Sequence, residues 1–237
     1  MAVVTGPVHA RRTLWRGLGL GAIAAVVAIA AVAALANRTA DDDDTVRGSG
    51  VEVTATRQLS PFAAVELAGA NTVNVRVGPA QTVAVTGDDN LVDRVTTAVR
   101  AGRLVIDDRG TFDTEAPMSV TVSVPSLDAL GLSGMGTVTV VGVTGSEFTA
   151  DLSGTGTLVV SGSVDRLTAT QSGLGTLELA GLAARDVIAR LEGTGDVNVQ
   201  ALSTLDATLT GTGSIVYSGS PAVTTHNTGV GSITARS

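Results

Sequence analysis

The sequence contains no cysteine and no lysine, and its 237 residues include only two histidines and five aromatic side chains. Without cysteine, a disulfide framework, a thiolate metal site, a cysteine nucleophile and a lipid-modified N-terminal cysteine are excluded. The two histidines, His9 and His226, lie at opposite ends of the chain, so a Ser-His-Asp triad or a multi-histidine metal site has no basis. We therefore expect no catalytic residue, no metal ligand and no cofactor.

Negative charge predominates in this chain. It carries 22 acidic residues against 15 basic ones, all arginine, which gives a formal net charge of −7 and a pI near 4.7. Proteins that bind nucleic acid present basic faces and often stack bases on aromatic side chains. Both features are in short supply, so we exclude nucleic acid as a partner.

A long uncharged run stands near the N-terminus, from residue 18 to residue 36. As a helix its 19 residues span roughly 28 Å, close to the thickness of a bilayer core. Arg11, Arg12 and Arg16 precede the run and four aspartates at 41–44 follow it. Because basic residues stay on the cytoplasmic side, the N-terminus is expected inside and the rest of the chain outside.

The same run allows two interpretations. One is an uncleaved single-pass anchor in the cytoplasmic membrane, with residues 1–17 as a short basic cytoplasmic tail and 37–50 as an acidic linker. The other is a signal peptide cleaved after Ala36, since Ala34-Leu35-Ala36 is a small-x-small site. The run is longer than a usual signal-peptide core, which favours the anchor. Either interpretation places the remaining chain outside the cytoplasm.

Glycine is abundant, with 29 residues, and much of it recurs at a fixed period. Six Gly-x-Gly pairs have their first glycines 18 to 20 residues apart. The pairs, which we assign to structural corners, are Gly134 and Gly136, Gly154 and Gly156, Gly173 and Gly175, Gly193 and Gly195, Gly211 and Gly213, and Gly229 and Gly231. A strand pattern rather than a helix start follows each pair, so a dinucleotide-binding loop is excluded.

Each repeat has the pattern of two short strands. Polar and apolar residues alternate after each glycine pair, as in residues 137–140, and before it, as in residues 205–209. A turn containing Gly142, Gly162, Gly181 or Gly219 joins successive units. Two short strands cannot bury an apolar face alone, whereas stacked units can. The sequence thus predicts an all-β, single-domain parallel β-helix, or β-solenoid, with about 19 residues per coil.

We place this β-helix domain at residues 51–237, with regular repeats at 127–237 and irregular N-terminal coils at 51–126 that close one end. Residues 67–75 match a degenerate first unit in which Asn71 stands for the second glycine, a position where asparagine tolerates positive φ. The segment Asp88-Asp89-Asn90 predicts a turn, or a cap for a short helical turn at 91–95.

The repeats and the motifs that precede them resemble one bacterial family. Its pattern includes residues 62–67, Gly87-Asp-Asp-Asn-Leu91, residues 102–106, Val124-Pro-Ser-Leu127 and Leu132-Ser-Gly-Met-Gly136. Over roughly residues 48–237 the chain resembles the putative autotransporter adhesin, head GIN domain family. That resemblance implies a right-handed parallel β-helix in the cell envelope, and it supplies no catalytic residues. The chain departs from the family pattern at Asn71 and Glu192, where corner geometry is expected to differ.

Carboxylates are the remaining candidates for chemistry, because β-helix enzymes that act on polysaccharides use acidic side chains on an outer face. No two of them are spaced so as to predict the carboxylate separation of a glycosidase, and we assign them to solvation. If coils stack, Glu178 and Asp196 come near each other, since both follow a corner. The candidates are Asp151, Asp165, Glu178, Asp186, Glu192, Asp196 and Asp206.

The sequence therefore predicts a membrane-anchored extracytoplasmic module that serves adhesion or scaffolding and has no enzymatic activity. Its expected partners are the membrane, through residues 18–36, and a surface protein or polysaccharide. End-to-end association of two copies through the C-terminal coil is expected as well, because an uncovered strand edge invites pairing. The alternatives are a carbohydrate-acting enzyme on the same fold and an envelope sensor.

Overall fold

A computed structural model describes residues 45–236. None of these residues forms a helix, so none forms a helix of the length and apolarity that a membrane crossing requires. The segments interpreted as a cytoplasmic tail, an anchor or signal peptide, and most of the acidic linker lie outside the described residues. The strands are β1 (Val46–Arg47), β2 (Glu52–Arg57), β3 (Ala64–Leu67), β4 (Ala70–Val77), β5 (Thr82–Asp88), β6 (Val95–Arg100), β7 (Arg103–Asp108), β8 (Phe112–Asp113), β9 (Ser119–Val124), β10 (Ala129–Leu132), β11 (Met135–Leu152), β12 (Thr155–Gln171), β13 (Leu174–Leu191), β14 (Thr194–Leu209), β15 (Thr212–Ser218), β16 (Ala222–Asn227) and β17 (Val230–Ala235).

The predicted solenoid is confirmed. Strands β11 to β15 and β17 each follow one Gly-x-Gly corner, and each pairs in parallel with its counterpart one coil along, glycine to glycine, as Gly156 pairs with Gly136 and Gly175. We call the strand runs that follow a corner face I and those that precede it face II. Apolar side chains alternate into the interior of the coil, where Val138 and Leu158 are fully buried.

Within a coil the chain is more continuous than predicted. Strands β11 to β14 run for 16 to 18 residues each, where two short strands joined by a turn were expected. The predicted turns near Gly142, Gly162 and Gly181 are register shifts inside these strands, since pairing resumes a few residues later. A bulge bends a strand without ending it, which explains the difference. Only the turn at Gly219 separates two strands, β15 and β16.

The two glycines of each pair have different structural roles. The first lies between strands, and a Cβ on Gly173 would overlap the carbonyl oxygen of Gly154 in the adjacent coil. The second is inside the strand and has positive φ, as at Gly175 with φ +144, and a Cβ there would overlap the carbonyl oxygen of Gly156. Close stacking therefore requires glycine at both positions, and a positive φ requires it at the second.

The N-terminal end is built in a different order from the sequence. On face I, β4 lies between β9 and β11, and β5 and β2 follow beyond β9 as antiparallel strands. On face II, β3 lies between β7 and β10, and β6 adds as an antiparallel strand on β7. After β3 and β4, the chain forms the antiparallel strands β5 and β6. It then adds β7 and β9 beside β3 and β4, and begins the regular repeats with β10 and β11.

Asn71 and Glu192 both fit the solenoid, although neither matches the repeat. Asn71 pairs with Gly136 as predicted, but it does not adopt positive φ; among the described residues Ala101 is the one non-glycine that does. Its buried side chain instead donates from Nδ2 to Asp108 Oδ1 at 2.6 Å. Glu192 leaves the corner unchanged, because its amide and that of Gly193 both donate to the Gln171 carbonyl at 2.8 and 3.0 Å.

The predicted turn after Asp88 is present, and the Asp88 side chain has a structural role that the sequence did not indicate. Residues 91–94 form a turn with a single i to i+4 hydrogen bond, Val92 N to Asp88 O at 3.0 Å, and no helix follows. The Asp88 side chain is fully buried and accepts hydrogen bonds from the amides of Gly50 at 2.6 Å and Glu115 at 3.0 Å. The amide of Ala116 contacts both of its oxygens, at 3.2 and 3.3 Å. One carboxylate therefore fastens two loops to β5.

Candidate functional site

One column of outward side chains on face I is almost entirely hydroxyl. It crosses ten consecutive strands, including the antiparallel ones, and nine of its ten members are threonine or serine. We call it the hydroxyl ladder. Its members, in spatial order, are Thr54, Thr86, Ser119, Thr72, Thr137, Thr157, Thr176, Asp196, Ser214 and Ser232.

The ladder is exposed or half-buried along its length. Hydroxyls bond along it at both ends: Thr54 Oγ1 and Thr86 Oγ1 lie 2.9 Å apart, and Ser214 Oγ donates to Asp196 Oδ1 at 2.5 Å. Strand spacing sets the repeat at about 4.8 Å, so the ten members extend over roughly 43 Å. The ladder presents a long, regular and nearly uncharged hydrogen-bonding surface.

A second column runs beside the ladder, two residues nearer the corner on each strand. Every member carries a terminal methyl group, and its three threonines carry a hydroxyl as well. None is charged and all are exposed; Met135, Leu174 and Val230 are 60%, 56% and 72% exposed. We call it the methyl column. Its members are Ala70, Met135, Thr155, Leu174, Thr194, Thr212 and Val230.

Face II carries a small polar notch. Glu66, Gly131 and Asp151 pair side by side on β3, β10 and β11, so the missing side chain at Gly131 leaves a gap between two carboxylates. The gap is a cavity of about 350 Å³ that Arg103 and Ser133 also line. Two strand spacings separate the carboxylate-bearing residues, roughly 9–10 Å between Cα atoms.

The two carboxylates of the notch have different surroundings. Ser133 Oγ donates to Glu66 Oε1 at 2.8 Å, and Arg103 Nη1 lies 3.8 Å from Glu66 Oε2. Burial raises the pKa of Asp151; the positive charge of Arg103 opposes the shift, and the negative charges of Glu66 and Glu192 add to it. Carboxyls with such different partners suit an acid and a base, which is why the notch is a candidate for chemistry.

Three of the other candidate carboxylates are engaged with neighbours. Glu178 does not align with Asp196: it pairs with Asn198, whose Nδ2 donates to Glu178 Oε2 at 2.8 Å. Asp196 stands in the next column, where it holds Ser214. The Thr204 hydroxyl donates to Asp186 Oδ1 at 2.7 Å, and this hydrogen bond lowers the pKa of Asp186. Burial opposes the lowering of the pKa, and the hydrogen bond and charge of Arg185 strengthen it.

Asp165, Glu192 and Asp206 are exposed to solvent, which agrees with their assignment to solvation. Among residues 45–236, no cluster of three or more histidine, aspartate or glutamate side chains has the geometry to hold a metal ion. Sequence reasoning missed Glu66 and Arg103, because β3 and β7 reach the notch only through the reordered N-terminal strands. The sequence had no signal for that order.

Solved structures of two bacterial proteins are similar to this fold. A protein described as a putative adhesin from Bacteroides fragilis NCTC 9343 superposes with a TM-score of 0.70 at 22% identity, covering 81% of this chain and 100% of that chain. A putative adhesin from Parabacteroides merdae ATCC 43184 gives a TM-score of 0.53 at 20% identity, covering 81% and 99%. At these identities the likeness shows the fold, and the match covers the whole of the first relative's chain.

Sequence comparison places the chain in a family. Comparison with curated proteins finds no match. The model of one domain family, described as putative auto-transporter adhesin, head GIN domain, matches residues 61–221, from the loop before β3 to the turn before β16. This span includes five of the six glycine pairs and both sides of the notch, and it confirms the resemblance seen in the sequence. The chain therefore belongs to the putative auto-transporter adhesin, head GIN domain family.

Proposed function

We propose that this protein is a membrane-anchored, extracytoplasmic adhesion module that presents a binding surface and catalyses no reaction. Membership of a family of adhesin-like surface proteins supports the general class. The uncharged run at 18–36, with arginines before it and aspartates after it, supports an anchor with the N-terminus inside. Cleavage after Ala36 would release the same module outside the cell.

The hydroxyl ladder is the observation that carries this proposal. Stacking of the coils requires apolar inward residues and glycine at the corners, whereas it leaves the outward positions of the strands free to vary. Face II shows that freedom: its outward column through Thr168 also contains Ala129, Ile188 and Asp206. The ladder keeps hydroxyls even on β2, β5 and β9, which belong to no repeat. Such uniformity across different topologies favours a role in surface recognition.

We expect beads coated with residues 45–237 to adhere to bacterial cells, and the double variant Thr157→Arg/Thr176→Arg to lose most of that adhesion. Two arginines in the centre of the ladder replace short hydroxyls with long, charged side chains. Adhesion is counted by microscopy as cells per bead. The matched control is Thr168→Arg/Thr170→Arg, which changes outward residues of face II on β12 alone.

Equal adhesion of both double variants would place the binding surface away from the ladder. Failure of the unaltered protein to adhere to any cell would overturn the adhesion module itself. Circular dichroism of each variant tests whether the coil is intact.

The notch on face II supports a second candidate, a carbohydrate-acting enzyme that uses Asp151 as acid and Glu66 as base. Their Cα atoms are two strand spacings apart, roughly 9–10 Å, and the carboxyl groups of inverting glycosidases are separated by roughly 6.5–9.5 Å. A reducing-end assay on a polysaccharide panel separates the two candidates. We expect no turnover; turnover that Asp151→Asn abolishes and Asp165→Asn preserves would establish the enzyme instead.

We also propose that two copies associate through their last coils. Within the described residues, β16 and β17 have a neighbouring strand on one side only, β14 and β15 respectively. Inward positions there are exposed, as at Thr225, whose counterpart Ala207 is buried. No side chain of residues 207–236 is acidic, so carboxylate side chains of the last coil do not repel a second copy.

Light scattering on residues 45–237 tests this association. We expect a concentration-dependent dimer, which Thr225→Lys abolishes because an inward charge on the final coil prevents stacking. Thr224→Lys is the matched control, because Thr224 points outward and its replacement by lysine adds the same charge. A monomer at all concentrations, or equal dimers in both variants, would contradict the proposal.

A further inference from the structure

The hydroxyl ladder and the methyl column form the two sides of one continuous strip. On β11 to β15 and β17, the residue between them is the second glycine of the pair, so no side chain separates the two columns. On β4 the residue between them is Asn71, whose side chain is buried. The strip therefore offers hydroxyls along one side, methyl groups along the other and bare backbone between.

A cavity lies at the N-terminal end of this strip. Its volume is about 670 Å³, within the usual range of roughly 300–1,000 Å³ for ligand sites. Ladder residues Thr72 and Thr137 and methyl-column residue Met135 line it, and the segment that carries Phe112, the first residue of β8, also lines it. Asp108 is the one charged residue of the lining, and its carboxylate is bonded to the Ala70 amide and to Asn71 Nδ2. Phe112 is half-buried, so it supplies one of the few aromatic surfaces of this protein to the cavity.

The chemistry of the strip selects a neutral ligand. The chain carries a net charge of −7, yet Asp196 is the one charged member of the two columns. Pyranose rings have apolar C–H faces and hydroxyl edges, which match a methyl column beside a hydroxyl ladder. An aromatic side chain at the end of the strip suits the face of a terminal ring. A polypeptide would require partners for its backbone, and the strands of face I already pair with each other.

From these features we propose that the strip binds a neutral, linear polysaccharide along the axis of the solenoid, with one end of the chain in the cavity beside Phe112. This inference rests on the proposed adhesion function and names its ligand class. The methyl column crosses seven strands, or roughly 29 Å, so several sugar units make equivalent contacts. Affinity then rises with the length of the oligosaccharide until the strip is filled.

Calorimetric titration with hexasaccharides tests the proposal on residues 45–237. The probes are cellohexaose, chitohexaose and maltohexaose as neutral chains and hexagalacturonate as an anionic one. We expect at least one neutral hexamer to bind, its dimer to bind at least tenfold more weakly, and the anionic hexamer not to bind. Thr157→Arg on the ladder and Phe112→Ala at the cavity should each weaken binding at least tenfold, whereas Thr168→Arg on face II should not.

Binding of the anionic hexamer alone, or of no hexamer, would overturn the polysaccharide proposal. Binding that Thr157→Arg and Thr168→Arg weaken equally would overturn the assignment to the strip. The bead experiment separates these results from failure of the adhesion function: beads that adhere to cells and lose adhesion through the ladder variants, without binding any hexamer, leave adhesion intact and exclude polysaccharide as its ligand.

Discussion

Gly175→Ala should lower the free energy of unfolding by more than about 3 kcal/mol, because it combines backbone strain with a collision that cannot relax. Gly175 has φ +144, a conformation that residues with a side chain rarely adopt. Its Cβ would overlap the carbonyl oxygen of Gly156, and that glycine belongs to a coil packed on its other side as well. Neither backbone can withdraw without breaking the parallel ladder.

Urea unfolding followed by far-ultraviolet circular dichroism measures this effect. The matched control is Gly145→Ala, also in a solenoid strand, where the nearest atom to an added Cβ is the Glu147 carbonyl oxygen at 4.0 Å. The control should stay within about 0.5 kcal/mol of the unaltered protein, as substitutions away from special sites do. Similar losses in both variants would show that glycine matters there for a reason other than stacking and φ.

Removing the charge of Asp88 should be the second most damaging change. Asp88→Asn sets an amide group against the backbone N–H donors of Gly50, Glu115 and Ala116, and the cavity that holds the carboxylate leaves little room for adjustment. Gly48 lies so close that a Cβ on it would overlap the Asp88 carboxyl. We expect a lower melting temperature than in Asp89→Asn, where the neighbouring carboxylate is exposed.

The same carboxylate gives the fold a pH dependence. Burial acts to raise the pKa of Asp88, but hydrogen bonds from the amides of Gly50, Ala116 and Glu115 outweigh it, so the pKa is below its ordinary value. The stabilisation is therefore complete above the pKa of an unfolded aspartate, about 3.9, and is lost as the pH falls through the folded value. Melting temperatures measured from pH 6 to pH 2 should fall less steeply in Asp88→Asn. Parallel curves would exclude Asp88 as the source.

The regular coils could be predicted from the sequence because their cause is local and repeated. A period near 19 with glycine pairs fixes which residues stack, and Gly136, Gly156 and Gly175 pair as the repeat requires. The bulges inside β11 to β14 could not be predicted, since glycine at such positions suits a turn and a bulge equally well.

The N-terminal end and the notch were beyond prediction for a different reason. Glu66 and Asp151 are 85 residues apart, and they come close only because β3 inserts beside β10. The repeat pattern of the sequence contains no sign of that insertion. Asn71 was placed correctly in register but wrongly in backbone conformation, because its bond to Asp108 depends on β7, which arrives from the antiparallel end.

The in-register stacking of coils makes the height of this protein an adjustable quantity. Each regular coil contacts the next through the same glycine corner, so duplication of one unit of 18 to 20 residues inserts a layer without altering the layers beside it. Each such step moves the far end outward by about 4.8 Å. A lineage could thus set the length of the solenoid in small, equal increments by copying a single short stretch of its gene.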